Sequence, residues 1–196
     1  MGRKIPEVLT PTEQEALVAR PNPRYFTGHR NRVMLRLMLD TGLRLSEAIE
    51  LRWRDIDLNS GKVMVRQGKG AKDRTLWTAE TNLVALVEWR ERQAGECTGN
   101  PQNVFTTKQG GTLDPRYIQR MVKRYAVKAG IEKDITPHTL RHSFATDLYR
   151  ETTSIRLTQK ALGHANLATT QIYTHIVDEE LEGALKSFRA AKVPCQ

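Results

Sequence analysis

The sequence predicts a mainly helical α+β fold with a small three-stranded antiparallel sheet, on three observations. Most of the 196 residues fall into stretches whose apolar positions recur at helical spacing between recognisable start and stop signals. One stretch, residues 54–78, changes to a period of two and is cut twice by turn residues. No internal repeat, low-complexity segment or long linker divides the chain, and its length suits a single domain with its own hydrophobic core.

The elements follow in order. In LTPTEQEALVAR, Thr10 is placed to cap a helix over about 11–20, with Pro11 in its first position and Glu13 completing a capping box. The prolines of RPNPRYFTGHRN force a break before a second helix that carries Val33, Met34, Leu37 and Met38 on one stripe and stops at Gly42. In TGLRLSEAIELRW, Ser46 is the expected cap of a short helix offering Leu45, Ile49 and Leu51 to the core. Arg44 then sits at a tight junction, where it either projects into a cleft or pairs with Glu47 on the surface.

RDIDL, KVMVRQ and DRTLWT, separated by NSG and GKGAK, read as the three strands. Lys69 lies between two glycines in the second turn, either reaching outward or merely solvated; the spacing is not that of a P-loop. AETNLVALVEWRERQA is an amphipathic helix with Leu83, Leu86 and Val87 inward, and VFTT and QGGTL suggest a short strand and a turn. Asp114 and Pro115 open a helix bearing Arg116, Arg120, Lys123, Arg124 and Lys128, a basic face suited to phosphates or simply to water. ITPHTLRHSFATDLYR reads as a buried helix through Leu140, Phe144, Ala145 and Leu148, and SIRLTQKALG as another ended by Gly163. NLATTQIYTH begins a third piece with Tyr173, and DEELEGALKSFRAAK follows a hinge at 175–178.

Composition narrows the function. The formal charge of +9 favours a polyanionic partner. Cys97 and Cys195 lack metal or disulfide spacing and read as ordinary thiols in a reducing compartment. No apolar run spans a membrane and MGRKIPEVLT is no signal peptide, which points to the cytoplasm. His138, His142, His164 and His175 are weighed as a zinc set and set aside, because Arg141 lies among them and no cysteine or H-E-x-x-H motif accompanies them.

Residues 136–175 hold the chemistry. His138 and Arg141 share a helical face, and arginine matches phosphate while histidine moves protons near neutral pH. Tyr173 alone is either a structural tyrosine or a nucleophile. Taken together, Arg44 in TGLRLSE, Lys69 in GKGAKDR, His138 and Arg141 in HTLRHSFAT, His164 in LGH and Tyr173 in TTQIYTH resemble the tyrosine recombinase (phage integrase) family. The resemblance runs from about Thr10 to Phe188 and is greatest to Xer-type and related integrase catalytic domains.

The resemblance implies the tyrosine recombinase catalytic-domain fold and a site-specific recombinase or integrase that cuts and rejoins double-stranded DNA without ATP, metal or other cofactor. Arg44 and Arg141 would grip the scissile phosphate, and Tyr173 would attack it to give a 3′-phosphotyrosyl link and a free 5′-hydroxyl. Lys69 would protonate the leaving oxygen, His138 assist proton transfer and His164 hydrogen-bond the phosphate, with Glu47 and His142 as support. Arg116, Arg120, Lys123 and Arg124 are the expected DNA contacts.

By the same resemblance, residues 1–9 form a leader, 10–190 a catalytic domain ending in a helix at about 178–190, and 191–196 a tail. The family's N-terminal core-binding domain is expected to be absent, since about ten residues precede the first helix. Full-length relatives imply a homotetramer on nucleoid DNA, and the isolated chain a monomer. Type IB topoisomerase-like relaxation and a catalytically silent DNA-binding or regulatory fragment are the alternatives.

Overall fold

Local signals set most element ends in the computed structural model, which describes residues 7–66 and 73–163. Helix α1 (Pro11–Ala19) opens on the expected box: Glu13 N–H donates to Thr10 Oγ1 at 3.3 Å, and Thr10 N–H donates to Glu13 Oε2 at 2.8 Å. Helix α2 (Phe26–Thr41) is the central element, with Val33, Met34, Leu35, Leu37 and Met38 buried. It packs on α1, on α4 (Glu80–Glu96) and on α6 (Pro137–Thr152). Between them lie α3 (Leu45–Glu50), β1 (Lys62–Val65) and β2 (Arg74–Trp77), while α5 (Pro115–Lys128) and α7 (Ile155–Leu162) complete the described residues.

Gly42 ends α2 at φ +61°, a left-handed conformation that an L side chain resists. A Cβ there would also stand 2.2 Å from Phe144 Cδ1. Gly42→Ala is therefore expected to cost at least about 2 kcal/mol, from left-handed strain and overpacking together. Denaturant unfolding of the variant checks this, and an unchanged midpoint would contradict it.

Four expectations need correction. Among the described residues the sheet has two strands rather than three, pairing Lys62 with Trp77 through Val65 with Arg74. The RDIDL segment instead coils as a 3₁₀ turn over Trp53–Asp55, with Ile56 N–H donating to Trp53 O, so only Ile56 bridges to Val63. The cap of α3 is Arg44 rather than Ser46, because the Glu47 carboxylate folds back to accept the Arg44 N–H at 2.7 Å.

On α4, Val87 is 38% exposed, and the large inward residue is Trp89, whose indole N–H donates to Val104 O at 2.7 Å. The VFTT segment pairs through a single bridge, Thr106 with Thr112. By contrast Asp114 caps α5 through the N–H groups of Arg116 and Tyr117, and Leu140 and Ala145 are fully buried on α6. The expected helical pieces beyond Gly163 lie outside the described residues.

Candidate functional site: an arginine cluster on one carboxylate

The α2–α3 junction, the start of β2 and the C-terminal end of α7 meet at Glu47. Its side chain is 8% exposed and accepts from Arg44 Nη1 at 2.7 Å. Arg74 grips it with both terminal nitrogens, Nη1 to Oε1 at 2.8 Å and Nη2 to Oε2 at 2.7 Å. Arg141 Nη1 lies 4.0 Å from Oε2. A forked guanidinium matches a carboxylate in this bidentate manner, and burial raises the value of each contact.

The same arginines cap α7. Arg74 Nε donates to Ala161 O at 2.8 Å, Arg141 Nη2 to Leu162 O at 2.5 Å, and Arg44 Nη2 lies 3.5 Å from Gly163 O. Arg141 also donates to Gly42 O at 2.6 Å, so it ties the end of α2 to the end of α7. Helix C-termini leave carbonyls unpaired and carry partial negative charge, which is why cations gather there. Gly163, left-handed at φ +63°, then turns the chain out of α7 beside this cluster.

The other predicted residues divide into three groups. His138 is exposed on the first turn of α6 and lines a groove of about 320 Å³ with Leu45, Arg120, Lys123, Asp134 and Thr136. His142, one turn on, is half-buried; burial first, then the charges of His138 and Arg141, push its imidazole pKa down from the usual value. Arg116, Arg120, Lys123 and Arg124 are exposed on α5, of which Arg120 and Lys123 reach the His138 groove. Lys123 pairs with Asp134 at 2.9 Å in the open, a contact of little energy, and Arg124 lies over the Tyr125 ring at 5.0 Å. Lys69, His164 and Tyr173 lie outside the described residues.

Arg44 pairs with Glu47, but with a carboxylate only 8% exposed rather than one on the surface, and the Arg44 side chain itself remains 35% exposed. Arg74 is the member that sequence reasoning missed. Period two would have put it on the same face as buried Leu76, and a buried guanidinium needs acceptors, here the Glu47 carboxylate and Ala161 O.

Burial pushes the Glu47 carboxyl up, but the Arg74 hydrogen bonds and the Arg44 N–H outweigh it and bring its pKa down to about 2 from 4.5. A depressed carboxylate contributes stability that is present above pH 4.5 and lost as pH falls from there toward 2. The contribution is about 3 kcal/mol at 1.36 kcal/mol per pH unit. The unfolding free-energy difference between the unsubstituted protein and Glu47→Gln is expected to shrink across that window, and a constant difference would contradict it.

The profile described as "Phage integrase family" matches residues 7–180. The chain belongs to the phage integrase family. Among its relatives, "Tyrosine recombinase XerC" of Xanthomonas axonopodis pv. citri is 44% identical over 174 residues, covering 89% of this chain and 55% of the relative. "Tyrosine recombinase XerD" of Staphylococcus saprophyticus subsp. saprophyticus is 38% identical over 194 residues, covering 95% and 63%. The phage integrase chain thus spans between 55% and 63% of the length of these two relatives.

Solved structures agree. The crystal structure of XerA recombinase superposes with a TM-score of 0.80 at 34% identity, covering 100% of this chain and 68% of that one. XerH site-specific recombinase bound to palindromic difH substrate, in a post-cleavage complex, gives 0.82 at 30% identity, covering 95% and 54%. The mainly helical fold with a small antiparallel sheet is therefore that of the tyrosine recombinases. Among the described residues, no helix is long and apolar enough to cross a membrane.

Proposed function

We propose that residues 10–190 form the catalytic part of a site-specific DNA recombinase that cuts and rejoins strands through a 3′-phosphotyrosyl intermediate. The observation that carries the reading is the meeting of Arg44 and Arg141, from opposite halves of the sequence, at one carboxylate and at the last carbonyls of α7. Two guanidiniums fixed this way suit a phosphodiester whose charge grows during attack. His164 follows Gly163 in sequence, whose carbonyl lies beside Arg44, and in this reading it hydrogen-bonds the phosphate.

In the reaction, the Tyr173 oxygen bonds to phosphorus as the bond from phosphorus to the 5′-oxygen breaks. His138 takes up the tyrosine proton and Lys69 gives one to the leaving oxygen. The phosphoryl bond is conserved in the protein–DNA link, so rejoining to another 5′-hydroxyl requires neither ATP nor metal. His142, half-buried and next to Arg141 in sequence, is the supporting residue in this reading. The α5 face and the His138 groove receive the duplex backbone.

A homotetramer on DNA and a monomer alone are the assemblies that go with this reading. The relatives are named tyrosine recombinases, which gives topoisomerase-like relaxation no support. A nicked suicide duplex bearing the cognate site tests the proposal: the cleaved strand is expected to remain covalently on the protein through denaturing electrophoresis. DNA bound without any adduct would favour the silent fragment.

A further inference from the structure

We propose that Arg74 is a positioning residue that neutralises Glu47 and thereby leaves the charge of Arg44 and Arg141 to the scissile phosphate. The inference rests on the recombinase reading above. Among the described residues, three guanidiniums surround one carboxylate here, a net charge of two positive for these four groups. A tyrosinate attacking a phosphodiester monoanion gathers two negative charges around phosphorus, so the cluster balances the transition state.

The geometry divides the labour. The Arg74 guanidinium takes both Glu47 oxygens, whereas the Arg44 guanidinium takes one, with the Arg44 N–H on the other, and Arg141 stands off at 4.0 Å. Arg74 is itself only 8% exposed, and its Nε is committed to Ala161 O, so its guanidinium is held where it faces the carboxylate. Without it, a buried anion would draw Arg141 inward and offset one of the two phosphate-binding charges. The cluster would then carry one net positive charge against two developing negative ones. Arg74 thus acts through Glu47, and the Ala161 contact keeps the end of α7 in register with it.

Arg74→Gln is expected to slow single-turnover cleavage by about 10–100-fold at saturating DNA, within the range for losing one electrostatic contact in a closed site. The substrate is a nicked duplex carrying the site that this protein selects from a random-sequence library. Equilibrium affinity for the same duplex should fall by much less than the cleavage rate, since Arg74 is buried against Glu47 and Ala161 and most backbone contacts lie elsewhere. The discriminating readout is the coupling: in a Glu47→Gln background, where no carboxylate needs neutralising, Arg74→Gln should cost less than about threefold.

Cleavage by Arg74→Gln at the unsubstituted rate, or an equal loss in both backgrounds, would overturn the proposal. If thermal denaturation shows that Arg74→Gln does not fold, Arg74→Lys carries the same test. It keeps the charge but not the fork, and its smaller loss must vanish in the Glu47→Gln background, persistence there overturning the proposal. Absence of adduct with the unsubstituted protein would instead overturn the recombinase reading itself, and this one with it.

Discussion

Arg141→Ala is expected to lower the rate of DNA strand cleavage by at least about a thousandfold, the scale at which an arginine that stabilises phosphoryl-transfer charge is felt. Arg141 is 6% exposed and its guanidinium bridges Gly42 O and Leu162 O, so in the proposed reaction its charge would be fixed in advance and need no reorganisation. Alanine removes the charge and strips two buried carbonyls of a donor. Part of the effect on the variant is therefore a loss of stability, from about 1 to 3 kcal/mol for each unsatisfied group.

Arg141→Lys separates the two effects. Lysine keeps the charge and leaves the cavity mostly filled, yet it cannot span both carbonyls and a phosphate with one planar fork. A folded Arg141→Lys protein that binds DNA but cleaves at least about a hundredfold slower fits the account, on the scale of losing one preorganised donor. A lysine variant that cleaves normally would mean that the planar fork is dispensable. Cleavage near the normal rate by the alanine variant would remove Arg141 from the chemistry.

Tyr173→Phe has the largest expected effect, loss of the covalent intermediate altogether. The substitution removes one oxygen from the side chain proposed as nucleophile. DNA affinity should be retained, because in the proposed reading the duplex is held by Arg44, Arg141 and the exposed cations of α5 rather than by the tyrosine hydroxyl. Retention of a covalent adduct at normal rate in Tyr173→Phe would place the nucleophile elsewhere, and loss of both adduct and DNA binding would point to a structural tyrosine.

Much of the fold was legible because its determinants are local. Thr10 with Glu13, Asp114 with Pro115, and the glycines at 42 and 163 specify helix ends within a few residues of themselves, and the structure places the ends there. The 3₁₀ turn at Trp53–Asp55 was not legible, since a short segment ahead of an NSG turn carries the same alternation whether it pairs or coils. Ser46 misled for a related reason. A side-chain hydroxyl is the usual cap, but at this junction the Glu47 carboxylate, already held by Arg74, reaches the Arg44 N–H first.

The cluster was half legible. Arg44 and Arg141 were found through the motifs that surround them, and the structure brings them to one carboxylate across 97 residues of sequence. Arg74 escaped because nothing near it in sequence explains an inward arginine. Its partner lies 27 residues earlier, and only the tertiary fold joins them. Val87 and Trp89 show the same limit on α4: both fit an apolar stripe, and only packing against α2 decides that the indole goes inside.

The central claim is that one tyrosine, delivered to an arginine pair held by Glu47, becomes bonded to DNA. Proteolysis and mass spectrometry of the suicide-substrate adduct test it most directly. The account predicts a nucleotide-bearing peptide that contains Tyr173, with the modification on that residue. A modification mapped to another residue such as Tyr149, or no modified peptide at all, would contradict it.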